Sequence, residues 1–573
     1  MNIQKTITFI ILFNLITGYA YSQINVAIDT SLTYQTIFGF GGSLKRYTAD
    51  LYASDTNTIN QIENLCFNEL KINMIRVMCH PNIEPVNDNN SSTFLDTAQL
   101  NWTYYENTTK DIHAIRRALI KSNNRINYIT ASNNSAPAWQ KANNNIVWGD
   151  TILPNMYNEF TEYLSAYLRG MKNRYNITIN SISPFNEPGV ATFYESLSSS
   201  RNQAKDIVIN LRQRLNGLEN LNILDHVDII SPDCIVVSDT SYIPPNSYFN
   251  IGDLSVKNTI YFLDSTYGGI FSDSIATNST DIVGTHNYMD LNNTANWSKL
   301  KNVSKNKPIW VTEASTVNSP DFDAPNAVLQ AKWIHRSFTE GDATAFLMHA
   351  LYEPLVNGKT SGLVTWDSNN VVIPKRYYGF KQFVNFVKPG YVRINVSDND
   401  SNLYVSGYLN PTQDTLIVVA INDTNVALSN VTFSCPASFS PIQQYATSDI
   451  PDYNTTQLAN ISAPTNGSFL ANVEAMSITT FIIPLTQTLG VSNSLKEPVG
   501  ITIFPNPTNG LLKIQSEINY QKIAISIFTI LGESVLTIYN KTEIDISSLA
   551  SGTYFVKIAI DDKIETHKII KIK

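Results

Sequence analysis

The chain has 573 residues, of which 43% are hydrophobic and 11% aromatic, enough for several domains with large cores. Its 40 basic and 48 acidic residues leave a net charge of −8 with no basic block in the main body, which argues against nucleic acid as a partner. The four cysteines (Cys66, Cys79, Cys234, Cys435) are few for an exported chain and show no zinc-like spacing with histidine. A Cys66–Cys79 disulfide is one expectation, and simple packing of Cys79 at the end of an apolar strand is the other.

In chain order, Met1–Ser22 has an early Lys5, an apolar run from Ile7 to Ile16 and the small-residue stretch Ala20-Tyr21-Ser22. That is the pattern of a secretory signal, cleaved near Gln23. No other stretch is apolar for long enough to span a membrane. Ile24–Leu32 alternates as a strand. Strand-like runs follow at Ile37–Ser43, Ile72–Val77, Ile126–Ala131, Ile177–Phe185, Val227–Ser231, Ile282–Thr285, Pro308–Thr312 and Thr344–Met348. Helical periodicity falls between them, as in Phe160, Leu164, Tyr167, Leu168 and Met171, and again in Ile207, Val208, Leu211 and Leu215. This β-α alternation predicts a (β/α)8 TIM barrel, an α/β fold whose active-site residues sit at the C-terminal ends of the strands.

The character changes near Tyr391. Leu403–Leu409, Thr415–Ile421, Val431–Cys435 and Ser477–Ile483 read as short strands between Asn, Asp, Pro and Gly turns, predicting an attached antiparallel β-sandwich. A polar linker, Thr486–Pro498, leads to a small C-terminal all-β sandwich domain whose tail alternates Lys and Ile as a strand with one solvated face. The expected division is signal 1–22, N-terminal sandwich strand 23–34, barrel 35–388, sandwich 389–485, linker 486–498 and C-terminal domain 499–573.

Two stretches carry the chemistry. ITINSISPFNEPG (Ile177–Gly189) is an apolar strand ending in Glu187, which is expected to stay extended because Pro188 follows it. KPIWVTEAS (Lys307–Ser315) repeats the plan, with Glu313 at its C-terminal lip. Two carboxylates at the same end of two parallel strands can face each other across a sugar.

These residues carry a resemblance. GFGGS (Gly39–Ser43), ASNNSAPAWQK (Ala131–Lys141), NEP (Asn186–Pro188), THNY (Thr285–Tyr288), WVTEAS (Trp310–Ser315) and PKRYYGFKQFVNFVKPGYVRI (Pro374–Ile394) resemble glycoside hydrolase family 30, in order, from about Gln35 to Leu485. The family implies a barrel with a side β-sandwich whose first strand is N-terminal, here Ile24–Leu32. FPNPTNG (Phe504–Gly510), the Leu531-Gly532 turn, SLASGTYFVKI and the basic end resemble the type A sorting domain of the type IX secretion system. That implies the type IX machinery as a partner and a secreted or cell-surface location.

The family resemblance assigns Glu187 as acid/base and Glu313 as nucleophile of a retaining glycosidase, whose carboxyls lie about 5–5.5 Å apart. It implies Arg76 as the group keeping Glu313 ionised, Asn186 as donor to the sugar 2-hydroxyl, and His286 and Tyr288 as partners of the two carboxyls. Trp139, Trp148 and Trp366 are candidate sugar-stacking faces. No metal or organic cofactor is needed, because carboxyls fill both chemical roles. Two family tryptophans near the cleaved bond are replaced, by Asn134 and by His349. The expected activity is cleavage of a β-linked polysaccharide, xylan first. Alternatives are a β-1,6-glucanase, β-xylosidase or glucosylceramidase-like activity, or a catalytically weak carbohydrate-binding surface protein.

Overall fold

Strand β1 (Asn25–Thr36) leads directly into β2 (Gly39–Ser43), the first of eight strands that close into a parallel barrel in chain order. The others are β3 (Met74–Cys79), β4 (Tyr128–Asn133), β5 (Ser181–Ser183), β6 (Asp228–Cys234), β7 (Ile282–His286), β8 (Ile309–Glu313) and β9 (Ala345–Met348), with β9 pairing back onto β2. All eight expected strands form, the fourth shortened to Ser181–Ser183. This computed structural model describes residues 23–573 apart from 45, 89–92, 238–257, 289–293, 318, 436–439, 463–466, 486–500, 517–522, 530–533, 540, 561–562 and 573. The expected signal, Met1–Ser22, and the linker, Thr486–Pro498, lie outside the described residues.

Strand alternation divides the barrel residues between two cores. Met74, Ile230, Ile282, Trp310, Ala345 and Leu347 form one buried cluster inside the barrel. Their neighbours Ile75, Ile229, Val283, Val311 and Phe346 pack outward into the core shared with the helices. Trp310 anchors the inner cluster, its ring 4.8 Å from Phe38 and 5.3 Å from Tyr128. Gly41 is required where β2 meets β3, since a Cβ there would lie 2.5 Å from the Met74 carbonyl oxygen. All four cysteines are buried free thiols, so the Cys66–Cys79 disulfide does not form. Cys79 instead packs with its Sγ 3.1 Å from the Tyr163 hydroxyl.

After β9 comes a three-stranded sheet of β10 (Tyr352–Pro354), β11 (Val364–Asp367) and β12 (Asn370–Val372). The side sheet then follows as β13 (Val392–Asp398), β14 (Leu403–Leu409), β15 (Thr415–Asn422), β16 (Leu428–Ser434), β17 (Gln443–Thr447), β18 (Asn454–Gln457), β19 (Ser468–Val473) and β20 (Ser477–Pro484). With β1 these make one nine-stranded sheet, ordered β18-β17-β20-β15-β14-β13-β1-β16-β19. The sandwich expected there is built by curling that sheet on itself. Phe433 of β16 stacks on Phe469 of β19 at 4.9 Å and meets Phe481 of β20 at 5.0 Å. The pairing is antiparallel except at β1–β16, which is parallel. The sheet is fixed to the barrel's last helix, Lys375–Val384: Gln382 donates to Thr447 Oγ1 (3.0 Å) and accepts from Thr480 Oγ1 (2.9 Å).

Residues 488–573 form a separate compact unit. It contains a three-stranded sheet (Ile501–Phe504, Leu511–Ser516, Glu543–Asp545) and a four-stranded one (Ile523–Thr529, Ser534–Tyr539, Gly552–Ile560, Lys563–Lys571) around an isoleucine-rich core. Among the described residues, no helix is long and apolar enough to cross a membrane.

Trp310→Ala removes the largest side chain inside the barrel. It is expected to lower stability by about 3–5 kcal/mol, measured as a fall in the urea unfolding midpoint.

Candidate active site

Alternation along β3 turns Met74 into the barrel and, two residues on, Arg76, which is 1% exposed. A guanidinium buried this deeply must be paired, because an uncompensated charge would cost several kcal/mol. Arg76 donates through Nη1 to Glu313 Oε1 and through Nη2 to Asp233 Oδ2 (2.8 Å) and Asn186 Oδ1 (3.0 Å). It therefore joins the C-terminal ends of β3, β6 and β8 to the loop after β5.

Two bulges aim the groups that meet it. The β6–β7 register shifts between Pro232 and Cys234, and Asp233 there has a left-handed φ of +63°. The β7–β8 register shifts between Thr285 and His286, which brings His286 opposite Glu313. Asp233 is fully buried; it accepts from Thr312 Oγ1, and its backbone carbonyl accepts the Glu187 N–H at 2.9 Å. Glu187 is not extended as expected. Its φ is +53°, because the chain turns at the Asn-Glu-Pro corner and that backbone bond to Asp233 holds the turn.

The two glutamates are both buried, and carboxylate oxygens of Glu187 and Glu313 lie within 4.8 Å of each other and of a ring nitrogen of His286. Each has its own set of partners. Glu313 takes Arg76 on Oε1 and the Tyr288 hydroxyl on Oε2 (2.6 Å). Glu187 has His286 Nδ1 at 3.0 Å from Oε1 and accepts from the Tyr194 hydroxyl at Oε2 (2.9 Å). Burial pulls the His286 pKa below its usual value, with the Glu187 bond and Asp233 opposing, so the imidazole is neutral at ordinary pH. Burial and the Glu187 charge push both Tyr194 and Tyr288 well above the usual phenol range, so both remain donors. The Glu187–His286–Glu313 atoms are close enough to hold a cation, but the guanidinium of Arg76 already occupies one side of Glu313.

The structure thus gathers Glu187, Glu313, Arg76, Asn186, His286 and Tyr288 into one network. His349 stands at its edge, with Nδ1 4.0 Å from Glu313 Oε2 and its ring 6.4 Å from Tyr288. The tryptophans divide. Trp366 is 5% exposed and packed in the core, so it offers no face to a sugar. Trp139 is half-buried, with its indole N–H donating to the Glu84 carbonyl at 3.1 Å. Trp148 is 61% exposed and its backbone N–H donates to the Thr192 carbonyl, beside the loop that carries Tyr194.

Sequence reasoning missed Asp233, Tyr194, Arg46 and Lys141. Asp233 carried a readable signal, a carboxylate two residues past the fifth predicted strand. Tyr194 carried none, being one of 29 tyrosines. Arg46 lies 4.0 Å over the Tyr194 ring and 3.7 Å from Glu195. Buried Lys141, its pKa pushed down to about 8 by burial, donates to Ser135 Oγ (3.1 Å) and the Ser196 carbonyl (2.8 Å), which ties the loop after β4 to the loop after β5.

Comparison with known proteins bears on both units. Residues 502–573 match the family of secretion system C-terminal sorting domains. A glucuronoxylanase of Bacillus subtilis is 27% identical over 242 residues, 41% of this chain and 54% of that protein. The chain thus spans about half the length of the curated relatives it matches. Among solved structures, the catalytic domain of a GH30 xylanase C from Talaromyces cellulolyticus superposes with a TM-score of 0.63 at 21% identity, over 80% of this chain and 99% of that one. An endo-β-1,6-glucanase gives 0.57 at 16% identity, over 81% and 95%. The larger unit has the barrel-and-sheet fold of glycoside hydrolase family 30 structures, and the smaller is a secretion-system sorting domain that marks the chain for export to the cell surface or beyond.

Proposed function

We propose that the chain is a retaining β-glycoside hydrolase acting on a polysaccharide, with xylan as its substrate class. On this reading the barrel, residues 35–388, is the catalytic domain, and residues 499–573 deliver it through the type IX secretion machinery. The observation that carries the proposal is the pair of buried carboxylates within 4.8 Å of each other at one end of the barrel, each with a different set of donors. Oxygens this close fit the short carboxyl separation of direct attack on the anomeric carbon better than the wider one that admits a water.

Glu313, held ionised by the Arg76 cation and the Tyr288 hydroxyl, attacks the anomeric carbon. Glu187 gives its proton to the departing glycosidic oxygen, the C–O bond breaks and a glycosyl ester forms on Glu313. Glu187 is then a carboxylate, stabilised by the Tyr194 hydroxyl and the His286 ring. It takes a proton from an entering water, which displaces Glu313 and restores the starting state. Two inversions give net retention. Asn186, with its oxygen committed to Arg76, presents its amide N–H2 as the donor for the sugar 2-hydroxyl. His349 and Trp148 shape the sugar subsites. The glucuronoxylanase relative favours xylan, and the endo-β-1,6-glucanase fold neighbour makes β-1,6-glucan the second substrate to assay.

Glu313→Ala and Glu187→Ala are each expected to lose activity on the order of 10³-fold or more, measured on a panel of xylans, β-1,6-glucan and aryl β-glycosides. Azide should partly rescue Glu313→Ala by attacking the anomeric carbon in place of the carboxylate, giving an inverted glycosyl azide. A wild type inert on every member of that panel would leave a carbohydrate-binding surface protein as the better reading.

Tyr194→Phe removes a donor to the charged form of Glu187 and so raises that carboxyl's pKa. Because Glu187 must be protonated to act as an acid, activity is lost as pH rises through its pKa. The alkaline limb of the kcat/KM profile is therefore expected to move up, by up to about one pH unit, whereas a Tyr194 with a purely structural role would lower the whole profile without moving it.

A further inference from the structure

At the opposite end of the barrel from Glu187 and Glu313 lies a recess of about 530 Å³ whose lining is largely apolar in accessible surface and includes four basic residues. Lys71 and Arg125 stand just before β3 and β4, at the N-terminal ends of those strands, and Lys381 and Lys388 come from the last barrel helix and the turn after it. Tyr445 of β17 closes the side-sheet wall, with its ring centroid 4.7 Å from that of Phe386. Among the described residues, no carboxylate is part of the lining, and Glu69 lies 3.1 Å from Lys381.

Part of this charge has a structural duty. Arg125 donates to the backbone carbonyls of Ile72, Ser122, Phe67 and Leu70 at 2.7–3.3 Å, and Lys388 to those of Val384 and Asn385, closing chain ends that would otherwise be unsatisfied. That duty does not extend to Lys71, and Lys381 is held by Glu69 and lies over the Tyr377 ring. Lys71 makes a single local bond, to the Asn68 carbonyl at 2.8 Å, and an ammonium has three donors. The crowding is unfavourable as it stands. Burial, with Arg125 and Lys381 alongside, holds Lys71 below its usual pKa, and burial with Arg125 and Lys71 pushes Lys388 down to about 8. A bound anion would relieve both effects. The recess is also larger than a lone oxoanion needs and falls within the range of small-molecule sites, and its Phe386–Tyr445 wall suits the C–H face of a sugar ring.

We propose that this recess is a second, non-catalytic binding site for a uronate-bearing saccharide, with Lys71 and Lys381 taking the carboxylate and the Phe386–Tyr445 pair the ring. The choice of a saccharide rests on reading the chain as a polysaccharide-acting enzyme; the anionic selectivity rests on the cations alone. Such a site would hold the enzyme on acidic glycan while the far end of the barrel works on the chain to be cut.

The test uses the full chain carrying Glu313→Gln, to prevent turnover, titrated calorimetrically with tetragalacturonate, neutral xylotetraose and sodium sulfate. Tetragalacturonate is expected to bind with an affinity that falls with added NaCl and is roughly tenfold weaker after Lys71→Gln/Lys381→Gln. Lys71→Arg/Lys381→Arg should retain binding, and all variants should keep the wild-type melting temperature. Absent binding of tetragalacturonate, equal binding by the Gln pair, or binding of sulfate alone would each overturn the proposal. Turnover of aryl β-xyloside is measured separately in chains with intact Glu313, where the Gln pair should match wild type. Failure of that reaction in the wild type would strike the catalytic reading and leave the binding result standing.

Discussion

The site depends on one buried cation. Arg76 sits where water cannot solvate it, so its stability relies on what surrounds it: Glu313 on one nitrogen, Asp233 and Asn186 on the other. A guanidinium offers its donors in a rigid plane, so satisfying it fixes the positions of its acceptors as well as their charge. Breaking such a pair by removing one partner strands the other, which is why Asp233 matters as much as the residues that would touch a substrate. The charge of Arg76 and the phenol of Tyr288 converge on Glu313, whereas Glu187 is met by a phenol and a neutral imidazole. That asymmetry gives two chemically identical side chains different electrostatic surroundings.

The backbone delivers this asymmetry through irregularity. Regular parallel strands would project alternate residues inward in even layers, as they do at the Trp310 level. At the other end the register slips in β6 and again in β7, and Asp233 and Glu187 both take left-handed conformations. Backbone of this kind is costly and persists only where surrounding contacts over-determine it. Here the Glu187 N–H to Asp233 carbonyl bond joins the two irregular residues directly, so each holds the other in place.

Much of this was legible in the sequence, for identifiable reasons. The eight barrel strands begin in or overlap short runs rich in apolar residues, and the two glutamates stand at or just past the ends of two of them, so fold and carboxylate pair could be read together. Glu187 was expected to be extended from Pro188 alone; local sterics lost to the hydrogen bond with Asp233, a residue 46 positions away, as the numbering of the two shows. Tyr194 and Arg46 were invisible because loops carry no periodicity: the bond from Tyr194 to Glu187, and the stacking of Arg46 on Tyr194, exist only once the loop after β5 folds back. Trp366 shows the reverse failure: an indole suited to stacking on sugar is spent on packing. The curled side sheet was foreshadowed by its alternating strands, but nothing local signals that β1 and β16 run parallel.

That parallel contact has a bearing on how the protein comes to be folded. β1 lies between β13 and β16, so its first neighbours arrive more than 350 residues later, and β2 likewise waits for β9 to close the barrel. Contacts of such high sequence separation make for slow, late-closing topologies. A chain emerging N-terminus first leaves both edges of β1 unpaired until β13 and β16 have been made, and the barrel open until β9 has. The strand pairings of the larger unit are all made within residues 25–484, so later loss of the sorting segment would remove none of its strands.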